Sequence, residues 1–206
     1  MTLFYDLNAL RPVSLFRPDV RRQLITVRAE PRQLNWLSEG KRRAEVLFVL
    51  KRRRNGGDEI LLINRKPYPP DAYRLPTGGL EDGESPVEAA IREIYEETGY
   101  RIADPGLLGL VDYTLHGPGF ENTRFVSYIF MGHVPAAQEP VAADPDEIAA
   151  YRWVSPESLN QVAAHLRTLP PDWVYWGRFR AASYEFIHCA IMQYNRGVGV
   201  ELEAGR

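Results

Sequence analysis

An α/β chain of the α+β type is predicted by three features: β-rich runs on both sides of Asn55-Gly56-Gly57, one helix with both ends marked, and a second pair of apolar runs around Gly117-Pro118-Gly119. Size agrees. At 206 residues, 45% hydrophobic and 25% charged, the chain suffices for one sizeable domain with appended segments.

Residues 1–42 mix Pro12, Pro18 and Pro31 with scattered arginines and short apolar pieces such as Gln23 to Val27, without the periodicity of a separate core. They are expected to form an N-terminal extension that packs on the main domain or on a second subunit. The main domain is expected over residues 43–168. It begins with A-E-V-L-F-V-L, K-R-R-R-N-G-G-D and E-I-L-L-I-N, a β-hairpin pattern. The charged groups Lys41 to Arg43 and Lys51 to Arg54 read as solvated strand ends or as a local basic patch.

Pro67, Pro69 and Pro70 mark a loop, and A-Y-R-L-P then leads into G-G-L-E-D-G-E. Ser85 as N-cap, Pro86 in the first turn and Glu88 three residues after the cap predict a helix from Pro86 to Thr98, with Gly99 as its stop. Leu107 to Leu115 and Arg124 to Val134 predict a second antiparallel pair, and Ala149 to Val154 a last short strand. Ser155-Pro156-Glu157-Ser158 then starts a helix expected to reach about Arg167. Residues 169–206 hold the aromatic cluster Trp173, Tyr175, Trp176 and Phe179, followed by Tyr184, Ile187, Ile191 and Tyr194 at helical spacing, and are expected to pack on the domain.

Several function classes lack their residues. The first twenty residues hold no uninterrupted apolar run, and no stretch approaches the roughly 18 apolar residues that span a bilayer. Cys189 is the only cysteine, which excludes an intramolecular disulfide and a cysteine-built zinc site. A formal net charge of −2 offers no global attraction to nucleic acid or anionic membrane. These features lead us to expect a soluble cytoplasmic protein with neither membrane nor nucleic acid as partner. The histidines His116, His133, His165 and His188 show no H-E-x-x-H spacing, and G-x-S-x-G is absent.

The helix itself is unusual. At about 100° per residue, Glu93, Glu96 and Glu97 fall on one side, while Val87, Ile91, Ile94 and Thr98 gather on a neighbouring face. Like charges so spaced cost a helix a few tenths of a kcal/mol per pair, so something positive should offset them. Arg92, four residues before Glu96, can pair with it. A hard divalent cation, Mg²⁺ or Mn²⁺, is the natural second candidate, because such ions take oxygen ligands. An acidic helix face in water is the competing reading. The preceding loop favours the ion: Gly78, Gly79 and Gly83 permit close ligand approach, and the loop feeds a helix N-terminus that attracts phosphate.

Together, Gly78, five residues, Glu84, seven residues, then Arg92-Glu93-Ile94-Tyr95-Glu96-Glu97-Thr98-Gly99-Tyr100 match the Nudix box, G-x5-E-x7-R-E-U-x-E-E-x-G-U with U aliphatic. The chain therefore resembles the Nudix hydrolases. Tyr100 departs from the aliphatic residue usual at that position, a departure expected to touch packing rather than chemistry.

The resemblance implies a Nudix fold, a mixed β-sheet sandwiched between helices, and hydrolysis of a nucleoside diphosphate linked to another moiety. It implies Mg²⁺ or Mn²⁺ on Glu93, Glu96 and Glu97 with the backbone carbonyl near Gly78, Arg92 orienting the glutamates, and Glu84 contributing to the metal site or bracing the loop. Divalent ions would neutralise the diphosphate and acidify the attacking water. The base is Glu93 or an acid from a later loop, for which Glu139, Asp144, Asp146 and Glu147 are the candidates. Family members usually select the nucleotide with residues outside the box; Arg65, Arg74 and Tyr73 lie close to it in sequence. The Trp173 to Phe179 cluster reads as core or subunit contact first and as pocket lining second.

ADP-ribose or a nucleotide sugar is the slightly favoured substrate, a preference that rests only on the presence of an N-terminal extension, which in ADP-ribose-type relatives often contributes to a homodimer. A nucleoside triphosphate or dinucleoside polyphosphate is the alternative. A nucleotide-binding regulatory module on the same scaffold is the competing class, and the intact box argues against it.

Overall fold

The computed structural model describes residues 21–34, 42–121, 123–144 and 146–195. Most of the 1–42 extension, with its expected part in a dimer, and the last residues of the 169–206 segment lie outside the described residues.

Seven strands are described: β1 (Arg22–Arg28), β2 (Ala44–Arg54), β3 (Gly57–Arg65), β4 (Thr77–Gly79), β5 (Gly106–His116), β6 (Thr123–His133) and β7 (Ile148–Val154). They form one mixed sheet in the order β1-β5-β6-β2-β3-β7, with β4 paired to β2. β1 runs parallel to β5 and β2 parallel to β6; the remaining pairs are antiparallel. The helices are α1 (Pro86–Thr98), α2 (Leu159–Leu166), α3 (Val174–Ala181) and α4 (Tyr184–Asn195), with a 3-10 turn at Pro156–Ser158.

The β2–β3 hairpin closes as the sequence predicts. Asn55 and Gly56 both take positive φ, 51° and 81°, the two-residue turn whose twist suits paired strands. β2 is buried on both faces because its neighbours are strands and both sides carry helices. Val46, Phe48 and Leu50 point to one core, Leu47 and Val49 to the other.

α1 covers the first face with Ala89, Ala90 and Ile94. The two alanines let the helix approach closely, and full burial of a side chain such as Ile94 contributes about 2 kcal/mol. The helices α2, α3 and α4 cover the second face with Leu159, Leu166, Trp176, Phe179, Ile187 and Ile191. A sheet between helices is thus the observed architecture. Among the described residues no helix is long and apolar enough to cross a membrane.

Three elements differ from the sequence reading. The apolar piece Gln23 to Val27 is an edge strand of the main sheet. The short β4 pairs with β2 through Glu45, Val46 and Leu47, a partnership that local sequence does not announce. The aromatic cluster starts the extra helix α3, and its Trp176 and Phe179 are 1% exposed, within the core. Tyr68 packs on Trp176 at 4.4 Å and Tyr113 on Phe179 at 4.9 Å between ring centroids.

Candidate functional site

α1 is fixed at both ends by its own sequence. Glu88 N–H donates to Ser85 Oγ at 3.3 Å and Ser85 N–H donates to the Glu88 carboxylate at 2.9 Å, the reciprocal capping box. Gly99 ends the helix in the left-handed region, φ 71°, and a Cβ there would lie 2.4 Å from the Val141 carbonyl oxygen. Tyr100, the departure from the motif, packs in the core beside Ile94 and also donates its hydroxyl to Gln138 O at 2.6 Å. Packing alone does not describe it.

Arg92 gathers the acidic residues. Its Nε and Nη2 each donate to one oxygen of Glu84 at 2.8 Å, and Nη1 donates to Glu93 and Glu96 at 3.0 Å each. Nη2 also reaches Gly79 O at 2.9 Å. The Arg92 fork holds the Glu84 carboxyl below its usual range, and Glu84 in turn raises Arg92. Glu84 accepts from Glu81 N–H as well, so its contacts in this structure are those of a loop brace.

The three helix glutamates occupy different environments. Glu96 is exposed. The Glu93 carboxylate lies against Gly78, where an added Cβ would come within 1.8 Å of its carboxyl carbon; glycine is required for this contact. Glu97 is 1% exposed, and its Oε2 accepts from Thr77 N–H at 3.1 Å. Its Oε1 has no hydrogen bond and sits 3.5 Å from Arg65 Nη1 and 3.6 Å from Arg74 Nη2. Burial pushes the Glu97 carboxyl up to about 7, against the pull of Arg74 and Arg65.

Of the residues proposed outside the box, Arg65 joins this group directly. It pairs with Glu97 and also with Glu147 from the loop before β7. Glu147 is thereby linked to a box glutamate, whereas Glu139 is held by Arg52, Arg54 and Trp153. Asp144 accepts from Asp146 N–H, and Asp146 faces Lys66. Arg74 is 1% exposed, its Nε without a hydrogen bond, and burial lowers its pKa. Tyr73 is half-buried, with the Arg152 guanidinium 3.8 Å over its ring. Sequence reasoning missed the Arg65 link to Glu147 and the hold of Glu97 on Thr77, because neither pairing leaves a local signal.

Among the described residues no three acidic, histidine or cysteine side chains converge as a metal cluster, since the carboxylates are turned towards guanidinium and backbone donors. The donor set nevertheless fits a hard divalent ion. Every candidate ligand is an oxygen, Glu97 Oε1 is buried with no hydrogen bond, and the Glu93 carboxylate occupies the space that a side chain at Gly78 would fill.

The NUDIX domain family matches residues 41–174. A putative 8-oxo-dGTP diphosphatase of Bacillus subtilis (strain 168) is 38% identical over 105 residues, 51% of this chain and 63% of that protein. The human diphosphoinositol polyphosphate phosphohydrolase 2 is 44% identical over 55 residues, 27% of this chain and 30% of that protein. The chain thus spans less than two thirds of the length of these relatives. In fold it is similar to a Caenorhabditis elegans Ap4A hydrolase, with a TM-score of 0.52 at 18% identity over 75% of this chain and 98% of that one.

Proposed function

From the premise that this chain belongs to the Nudix family, we propose that it is a divalent-metal-dependent hydrolase of phosphoanhydride bonds, acting on a nucleoside diphosphate linked to another moiety. The observation that carries this reading is Arg92, which joins Glu93 and Glu96 to Glu84, beside Glu93 resting on Gly78 and the buried Glu97 on Thr77 N–H.

Glu93, Glu96 and Glu97, with the Gly78 carbonyl, would hold Mg²⁺ or Mn²⁺. When bound, such ions neutralise the diphosphate and lower the pKa of water. The chain supplies the rest. Arg92 fixes the rotamers of Glu93 and Glu96 through one Nη1 and ties them to the loop through Glu84. A carboxylate takes the proton of the attacking water, and Glu93 and Glu147 are the candidates we assign to it, because one rests on Gly78 and the other is linked to Glu97 through Arg65. Arg65, 28% exposed, meets the substrate's phosphates, while the buried Arg74 supports Glu97 from behind.

ADP-ribose and nucleotide sugars are the substrates we favour slightly, on the expected N-terminal extension alone. A nucleoside triphosphate is the second reading, favoured by the 38% identical relative, which is described as an 8-oxo-dGTP diphosphatase. ADP-ribose, 8-oxo-dGTP and diadenosine tetraphosphate, each incubated with Mg²⁺ or Mn²⁺ and resolved by chromatography, test both. Glu96→Gln is the decisive variant, because Glu96 is exposed and its loss should leave the fold unchanged. Abolished turnover at unchanged thermal midpoint supports the reading; full turnover in Glu96→Gln refutes it.

A further inference from the structure

The family match ends at residue 174, and nearly all of α3 and the whole of α4 lie beyond it. Both helices nonetheless reach the neighbourhood of β4, α4 at Leu75 two residues before it and α3 at Glu45 of its partner β2. Tyr184, the first residue of α4, is 1% exposed, and its phenolic oxygen accepts Leu75 N–H at 2.8 Å. Arg74 Nη1 donates to Leu75 O, also at 2.8 Å. Both backbone polar groups of Leu75 are therefore held by buried side chains.

The other end of the same strand is reached through α3. Arg180 Nη1 donates to Glu45 Oε2 at 2.7 Å, and Glu45 is the β2 partner of Gly79. Ser127 takes the remaining Glu45 oxygen at 2.7 Å. The two C-terminal helices thus act on Leu75 to Gly79, the stretch that contains the Gly78 backbone facing Glu93, α4 directly at Leu75 and α3 only through Glu45 of β2.

Among the described residues β4 pairs with β2 alone. Side chains also anchor it and the residues just before it: Glu97 on Thr77 N–H, Arg92 on Gly79 O and Tyr184 on Leu75 N–H. Glu97 and Arg92 belong to the reactive cluster, and any turn of the Glu97 carboxylate releases Thr77. Tyr184 is the anchor that plays no part in that cluster.

We infer that Tyr184 is a positioning residue for the glycine-rich strand: its hydroxyl, delivered by a helix outside the family match, fixes Leu75 and through it the Gly78 backbone opposite Glu93. The consequence for turnover rests on the hydrolase reading above; the anchoring itself does not.

Two variants separate the hydroxyl from general packing. Tyr184→Phe keeps the ring and removes the acceptor. Ile187→Val trims the same helix in the same core without touching Leu75. Amide exchange followed by NMR, referred to each variant's own unfolding free energy, should show Leu75 exchanging about tenfold faster in Tyr184→Phe and unchanged in Ile187→Val. On the substrate identified by the panel, kcat should fall about three- to tenfold at constant KM in Tyr184→Phe alone. Unchanged Leu75 exchange overturns the inference, and so does faster exchange with wild-type kcat, or an equal kcat loss in Ile187→Val. A wild-type chain inactive on every panel compound defeats the hydrolase reading instead, and Leu75 exchange then still decides for or against the anchor.

Discussion

Arg92 grips Glu84 with two parallel donors, Nε and Nη2, each 2.8 Å from a different carboxylate oxygen. This fork leaves Nη1 free to bridge Glu93 and Glu96. A lysine at this position keeps the charge and loses the fork, because an ammonium on a flexible stem cannot meet two oxygens in a plane and two further carboxylates at once. Arg92→Lys should reduce kcat by about tenfold or more while the protein stays folded, as read by steady-state kinetics beside circular dichroism.

Gly78→Ala puts a methyl group where the Glu93 carboxylate lies. The obstructing atoms are the far end of a flexible side chain, so the helix need not move and Glu93 swings away. Urea unfolding should shift by less than about 1 kcal/mol, whereas turnover should drop by more than about tenfold.

Gly99→Ala meets the opposite situation. Here the obstruction is the Val141 backbone oxygen and φ is 71°, a left-handed conformation costly to any residue with a Cβ. A loss of about 1–3 kcal/mol in urea unfolding is expected. A loss near zero would show that the chain can close this turn in another way.

Tyr100→Phe removes the bond to Gln138 O and preserves the packed ring. The expected cost is about 1 kcal/mol by urea unfolding. Val141 N–H to Thr98 O and Ala143 N–H to Glu96 O should persist, visible as slow amide exchange at both positions.

Alkaline pH offers a test of burial. The hydroxyls of Tyr100, Tyr151 and Tyr184 are each pushed up to about 12, chiefly by burial. An unfolded tyrosine loses its proton near pH ~10, so these groups stabilise the folded form fully below that value. Their contribution disappears as pH rises from about 10 to about 12, since ionised phenols favour the unfolded chain. Urea midpoints should fall across this window, with tyrosinate absorbance appearing only as the protein unfolds.

The parts legible in sequence are those governed by short-range rules. Ser85, Pro86, Glu88 and Gly99 define α1 within a few residues of its ends, and Asn55-Gly56 defines the hairpin, because caps and two-residue turns are local chemistry. Helical periodicity also placed Glu93, Glu96 and Glu97 on one side. It could not distinguish the buried Glu97 from the exposed Glu96, a difference produced by contact with Thr77 and the arginines of other elements. The three-residue β4 was illegible because its partner Glu45 to Leu47 lies some thirty residues earlier. For the same reason, nothing local separates Glu147 from Glu139; the choice is made by which arginine each one meets.

The last four carbonyls of α1 each receive a donor: Tyr95 O from Gly99 N–H, Glu96 O from Ala143 N–H, Glu97 O from the Tyr151 hydroxyl and Thr98 O from Val141 N–H. Helices ordinarily fray at such carbonyls, one turn at a time. Here the turn bearing Glu96 and Glu97 is sealed, so α1 can unwind from that end only by breaking bonds to the Val141–Ala143 segment and to Tyr151. Its acidic end is thereby tied to two other parts of the chain, which resist its loosening.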